Sequence, residues 1–222
     1  MIAIDSVVGG APAAHHGREL PHDERPHLWW FTSSQSAIVL GSAQSTDVLD
    51  LDECRRRGLD VVKRRSGGGL VLVGDDRDVW LDVLLPSSHS LWTPDISRAS
   101  GWLGRVWADA LADIGIEALT VHEGAMEHND LSPLICFAGR APGEVFLGGA
   151  KVVGISQRRT RDWARFQCAL SRRWDADTMA AIVADSRIDA TTLAGLGADL
   201  DVAVSSVVEA VQRRITERLE AP

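Results

Sequence analysis

Three consecutive glycines, Gly67, Gly68 and Gly69, follow directly on Lys63-Arg64-Arg65-Ser66 and stand between two apolar runs. The flanking runs, residues 59–62 and 70–73, are short, branched and bounded by turn signals, and they read as buried strands. Three glycines in a row are costly in backbone entropy. They suit a place where something must approach the main chain with no Cβ in the way. The cations in front of them point to an anionic ligand. The plainer alternative is a glycine-rich hairpin whose Lys and Arg side chains face water. Far downstream, Gly148-Gly149 reads as a hairpin turn, from which Lys151 opens a returning strand. A lysine there is held on a stiff element, and its ammonium can stabilise negative charge on a carbonyl or phosphate. The chain has two lysines, Lys63 and Lys151, and each borders one of these glycine turns.

The rest of the chain reads as strands mixed with helices. Residues 1–27 are expected to form an irregular segment, with His15, His16, His22 and His27 as solvated loop histidines. Residues 28–32 and 37–40 read as strands joined by a polar turn at 33–36, and 50–57 as a short helix stopped by Gly58. After a turn at 74–78, residues 79–85 form a strand in which Asp82 is expected to face outward. Residues 95–115 carry Trp102, Leu103, Val106, Trp107, Ala110, Leu111 and Ile114 at helical spacing, with Asp95 as the candidate N-cap. A strand is expected at 117–121, a mobile polar loop at 123–132 and a short strand carrying Cys136 at 134–138. The Gly148-Gly149 hairpin and a strand at 165–170 follow. The last part, 175–222, turns helical, over 176–184 and 200–219, and its periodic apolar face packs on the body. The expected architecture is α+β, a mixed sheet flanked by helices, in one domain over 1–222.

Composition closes off several functions. A net charge of -8 argues against a general nucleic-acid binder. No apolar run approaches the ~20 residues of a membrane span, and the first residues lack the basic start of a secretory signal. Cys54, Cys136 and Cys168 are odd in number and widely spaced, which fits reduced thiols in the cytoplasm rather than disulfides or zinc ligands. No metal site is expected.

Two segments carry a family resemblance. Arg64-Arg65-Ser66-Gly67-Gly68-Gly69-Leu70-Val71, followed by Gly149-Ala150-Lys151-Val152-Val153-Gly154-Ile155-Ser156-Gln157, is similar to the paired motifs of the lipoate–protein ligase A family. That family belongs to the biotin/lipoate ligase and octanoyltransferase superfamily. The resemblance implies its catalytic-domain fold, with an acyl chain in a tunnel between the motifs. It implies an enzyme that activates lipoate or octanoate with ATP and Mg2+ as acyl-adenylate, then passes the acyl group to a lysine of a lipoyl domain. Such acceptors are 2-oxoacid dehydrogenase subunits and the glycine cleavage carrier protein. Carried over, Lys151 matches the catalytic lysine. Arg64, Ser66, Gly67, Gly68, Gly69, Gly154 and Gln157 match the acyl- and adenylate-binding positions. Lys63 stands where the motif's first arginine usually is.

The match has departures. Gln167-Cys168 occupies the place of the family's usual His-Gly, and 74–78 lacks the usual His-Asp. Cys136-Phe137 resembles the Cys-Phe of a cysteine-dependent octanoyltransferase subgroup, which takes octanoate from acyl carrier protein without ATP, on a cysteine nucleophile. Cys136 is otherwise a small packed residue. Three readings follow: an ATP-dependent ligase first, an octanoyltransferase using Cys136 and no cofactor beyond the acyl donor as the alternative, and a non-catalytic acyl-cofactor binding module as a different class.

Overall fold

A computed structural model of the chain describes residues 1–33, 35–74 and 76–221. The turns expected at 33–36 and 74–78 each include one residue outside the described set, Ser34 and Asp75. The strands are β1 (Ala3–Val7), β2 (His27–Phe31), β3 (Ala37–Leu40), β4 (Asp60–Lys63), β5 (Val71–Val73), β6 (Asp78–Pro86), β7 (Leu119–Val121), β8 (Val145–Leu147), β9 (Ala150–Arg159) and β10 (Trp163–Ser171). The helices are α1 (Pro12–Gly17), α2 (Leu51–Arg56), α3 (Gly101–Asp113), α4 (Ala176–Ile182), α5 (Ala190–Leu193) and α6 (Val204–Glu220).

Seven strands form one sheet in the order β1-β2-β6-β10-β9-β8-β7, and three form a second in the order β4-β3-β5. β1 lies parallel to β2 and β3 parallel to β4, while the other pairs are antiparallel, so both sheets are mixed. The middle strands β6 and β10 are buried on both faces, which explains why apolar side chains fill most of their positions on either face. Period-two alternation divides them. Val79, Leu81, Val83 and Leu85 of β6, with Ala164, Phe166, Cys168 and Leu170 of β10, join one core with α3 and α6. Trp80 and Ala169 face the other way, into a second core shared with the small sheet, α2 and α4.

Several expectations are corrected. Residues 1–27 are not irregular: β1 pairs with β2 along its length, and α1 is held so that His15 and His16 are buried rather than solvated. The runs at 28–32 and 37–40 are strands but not a hairpin, because β2 and β3 belong to different sheets. The glycine loop does not close a hairpin either, since β4 and β5 both pair with β3 on opposite sides. β4 is an edge strand and is only half-buried. Helix α3 starts later than the expected 95–115, and its N-cap is Ser100 rather than Asp95. Asp95 caps a tight turn, accepting from the Ser97 backbone N–H at 3.0 Å and its hydroxyl at 2.6 Å, and the chain curls until Gly101. Residues 136–138 form a 3-10 turn rather than a strand, because pairing with Leu70 is confined to one bridge at Ile135. Leu200 packs in the helix-side core, although α6 begins only at Val204.

Candidate active site

Arg64 makes the glycine loop a defined object. Its guanidinium is buried and donates to the carbonyls of Val39 (3.1 Å), Gly67 (2.8 Å) and Gly69 (2.8 Å). A charged fork serving several buried carbonyls fixes the path of residues 67–69. The other cations of the run point away: Lys63 is exposed, and Arg65 pairs with Glu19 on the surface. The basic run is thus an internal clamp plus two surface charges, not the three-pronged anion cradle its sequence suggests.

The loop is glycine where another segment crosses it. A Cβ on Gly69 would lie 2.6–2.7 Å from backbone atoms of Leu134, Ile135 and Cys136. That closeness follows from pairing: Leu70 N–H donates to Leu134 C=O at 2.7 Å, and Cys136 N–H donates to Leu70 C=O at 3.0 Å. Main-chain bonds therefore hold Cys136 beside the loop. Its Sγ lies 3.9 Å from Arg64 Nη2, which places it next to a fixed positive charge.

Lys151 reaches the same place from the opposite motif. Gly148 (φ 56°) and Gly149 (φ 95°) form the turn, both in the left-handed region that a two-residue hairpin demands. Lys151 then extends inward and is 1% exposed. Its Nζ lies 2.6 Å from Glu144 Oε2 and donates to the Cys136 carbonyl at 2.8 Å. Glu144, which the sequence reading passed over, is 3% exposed and also accepts from the backbone N–H groups of Ala141 (2.7 Å) and Ile155 (3.3 Å). Burial pushes its carboxyl above the usual carboxylate range, against the pull of Lys151 and the two N–H donors. The 7-residue spacing from Glu144 to Lys151 across a tight hairpin was the available signal for the pair, since it folds one residue back toward the other.

These groups line a cavity of about 480 Å³ together with Gly67, Gly68, Gly69, Ser156 and Gln157. That size is within the range of small-molecule sites. Ile96 and Met126, two of the few exposed large apolar side chains, also line it. Gln157 is committed to the wall, its amide donating to the Ile96 carbonyl at 2.9 Å. Gly154 lies near the Phe137 ring and the Lys151 stem, and a Cβ there would sit at ordinary contact distances of 3.5 and 3.8 Å. Ser66 is buried and does not touch the cavity. Its hydroxyl bonds to Gln167 Oε1 at 2.8 Å and meets Ser156 Oγ at 2.9 Å.

Asp82, expected to face outward, is fully buried. It accepts from Arg165 Nε at 2.7 Å and Trp80 Nε1 at 2.8 Å. Although burial alone would raise it, His15 and Arg165 hold its carboxyl well below the usual carboxylate range. Cys54 and Cys168 are packed thiols whose pKa values burial pushes up, that of Cys168 far above the ordinary value. Among the described residues no group of three or more His, Cys, Asp or Glu side chains could hold a metal, and no helix is long and apolar enough to cross a membrane.

Residues 15–217 match the family model of the lipoyl protein ligase A/B catalytic domain. The chain belongs to that family. Lipoyl protein ligase A/B relatives among curated proteins include the Octanoyltransferase LipM of Clostridioides difficile, 25% identical over 71% of this chain and 55% of that protein. The Octanoyltransferase LipM of Moorella thermoacetica is 30% identical over 60% of this chain and 49% of that protein. The chain thus spans about half the length of the curated relatives it matches. Among solved structures, a putative lipoate protein ligase from T. acidophilum with bound lipoic acid superposes with a TM-score of 0.76. It is 18% identical, covering 98% of this chain and 85% of that one. A lipoate-protein ligase A bound with ATP gives 0.74, also at 18% identity, covering 98% and 84%. The lipoyl protein ligase fold expected from the two motifs is the fold observed.

Proposed function

We propose that this chain is an acyltransferase that carries an octanoyl group from a carrier thioester to a lysine of a lipoyl domain, with Cys136 as the nucleophile and without ATP. The observation that carries it is the position of Cys136. Cys136 lines the cavity together with the glycine loop and Lys151, and its Sγ lies 3.9 Å from the Arg64 guanidinium. The names of the curated relatives support the same reading over the ligase reading that the motifs first suggest. So does the charge of the cavity: Lys151 is its one Lys or Arg among the lining residues, and Glu144 neutralises it. An acyl chain and a neutral thioester suit such a lining better than a triphosphate with Mg2+ does.

In this reading the Cys136 thiol gives up its proton as its sulfur adds to the thioester carbonyl of the octanoyl donor. The donor's carbon–sulfur bond breaks, the departing sulfur takes up that proton, and octanoyl-Cys136 remains. An ammonium has three N–H donors, and Lys151 spends two of them on Glu144 and the Cys136 carbonyl. The third is available to the oxyanion that forms at the carbonyl. The amine of the acceptor lysine then adds to the same carbonyl, the bond to Cys136 sulfur breaks, and the thiolate accepts the proton that the nitrogen releases. The lipoyl-domain acceptor and the acyl carrier protein donor belong to this reading, in place of the ATP and lipoate of a ligase.

The test supplies octanoyl carrier protein alone, or octanoate or lipoate with ATP and Mg2+, each beside an apo lipoyl domain, and follows the mass of both proteins. Octanoylation from the carrier protein, a covalent octanoyl adduct on the chain and loss of both in Cys136→Ser are expected. Modification that requires ATP and survives Cys136→Ser restores the ligase reading. No modification under either condition, with retained binding of an acyl-adenylate analogue, restores the binding-module reading.

A further inference from the structure

A line of hydrogen bonds with a fixed direction runs from the second core to the cavity wall. β10 pairs Gln167 with Asp82 on one side and Ser156 on the other, so the three side chains share one row of the sheet. Asp82, held ionised by Arg165, can only accept. The Gln167 amide must therefore turn its NH2 toward Asp82, whose oxygens lie 3.3 and 3.4 Å away, and its carbonyl the other way. That carbonyl is buried, and it receives the Ser66 hydroxyl at 2.8 Å. A hydroxyl has one proton. With that proton spent on Gln167, Ser66 can meet Ser156, 2.9 Å away, only as an acceptor. The Ser156 proton is thus directed into the wall, and the Ser156 oxygen offers the cavity lone pairs alone. The opposite order would leave the buried Gln167 carbonyl without a donor.

One of these residues departs from the resembling family's pattern and another lies within its second motif. Gln167 stands where the resembling family usually has histidine, and Ser156 lies between the motif residues Gly154 and Gln157. Ser156 lines the cavity with Cys136, Lys151 and Gly67. On the cation side, Lys151 offers a donor to a carbonyl oxygen. Ser156 adds the complementary acceptor, so one cavity presents both halves of what an amide group requires.

We propose that Ser156 accepts a hydrogen bond from an N–H group at the reacting end of the acyl chain, with Ser66 and Gln167 as positioning residues that set its polarity. This rests on the acyl-transfer reading for the identity of the group. The N–H belongs either to the amine of the acceptor lysine as it adds to octanoyl-Cys136, or to the pantetheine amide of the donor. Ser156 takes no proton: it holds one N–H so that the nitrogen, or the thioester beside the amide, is aimed at the reacting carbon.

The decisive measurement needs no turnover, so it stands even if the transfer reading fails. Binding of N-methyloctanamide and of methyl octanoate, which lacks the N–H, is compared by calorimetry. The parent chain should prefer the amide on the order of tenfold, as one hydrogen bond of ordinary strength gives. Ser156→Ala should erase the preference while leaving ester binding unchanged. Ser156→Thr should keep it. Gln167→Met, which frees the Ser66 proton to point at Ser156, should reduce it although residue 167 is not in the cavity. Equal binding of amide and ester by the parent chain, or a preference that survives Ser156→Ala, overturns the proposal. The two half-reactions then identify the source. Slower transfer from preformed octanoyl-Cys136 in Ser156→Ala, with normal acylation, assigns the N–H to the acceptor lysine. Slower acylation by octanoyl carrier protein, with normal transfer, assigns it to the donor.

Discussion

Lys151 Nζ and Glu144 Oε2 lie 2.6 Å apart, and both side chains are almost wholly removed from solvent. A buried pair of this kind contributes little to stability as a pair, yet removing one partner leaves the other charge stranded. Glu144→Leu is therefore expected to cost about 3–5 kcal/mol. The double variant Glu144→Leu/Lys151→Met should recover most of that loss while remaining inactive. Glu144→Gln keeps the shape and a hydrogen bond, and under the proposed transfer mechanism, in which the Lys151 ammonium donates to the oxyanion, it should lower kcat more than it changes KM. Urea titration and steady-state transfer assays check both. A double variant no more stable than Glu144→Leu contradicts the account.

The glycine loop offers a contrast between neighbours. An added Cβ on Gly67 meets no atom within 4 Å, whereas one on Gly69 collides with the backbone that carries Cys136. Gly67→Ala should stay within about 0.5 kcal/mol of the parent. Gly69→Ala should lose about 1–3 kcal/mol and displace the Cys136 segment. The rate at which iodoacetamide alkylates Cys136, read by peptide mass, reports that displacement without any assay of function. Similar behaviour of the two variants counts against the packing described.

Arg64 acts through geometry as much as charge. Arg64→Lys preserves the charge but cannot serve the carbonyls of Val39, Gly67 and Gly69 at once. Leaving a buried carbonyl without a donor costs roughly 1–3 kcal/mol. The thermal midpoint should fall accordingly, and amide exchange of residues 67–70 should quicken relative to β6. Unchanged exchange there shows that other contacts hold the loop.

His16 gives a pH signature. Burial, reinforced by His15 and the Arg165 and Arg64 charges against the pull of Asp82, lowers its pKa from 6.5 to about 3. The folded pKa is depressed, so between those values the unfolded chain binds a proton that the folded chain refuses. This contribution to stability is complete above pH 6.5 and is lost as pH falls, by up to about 1.4 kcal/mol per pH unit. Asp78 opposes it. Burial raises its carboxyl to about 6, so its contribution is present at low pH and lost as pH rises through 6. Comparison with His16→Asn isolates the histidine. From pH 7 to pH 5 the parent should lose about 2 kcal/mol more than the variant. Parallel curves for the two proteins rule this out.

What the sequence showed and what it hid have physical reasons. The glycine turns, α2 with its Asp50 cap and the apolar faces of α3 and α6 are set by local chemistry, and they stand in the structure where the chain signals them. The two glycine-bearing motifs are each a short local pattern, and it is the family resemblance they carry together that let them be read as one site. Asp82 and Arg165 could not be read as partners, because 83 residues separate them and either alone looks like a solvated charge. His15 and His16 sit among Pro, Gly and charged residues that suggest a surface loop. Their burial comes from packing on Phe31 and Trp80, partners distant in sequence that no local pattern declares. Cys136 was recognised as a candidate, but its setting was not: a single backbone bridge to Leu70, rather than strand periodicity, fixes it.

The main chain of Lys151 is also bracketed from the far end of the sequence. Its N–H donates to Leu196 C=O at 2.9 Å, and its C=O accepts from Ala198 N–H at 3.3 Å. The order of synthesis then matters to this protein. While residues 196–198 are still inside the ribosome, the strand bearing the Lys151 ammonium has an open flank. A nascent chain can shape its glycine loop and Cys136 early, but the lysine opposite them is locked only after residues 196–198 have emerged.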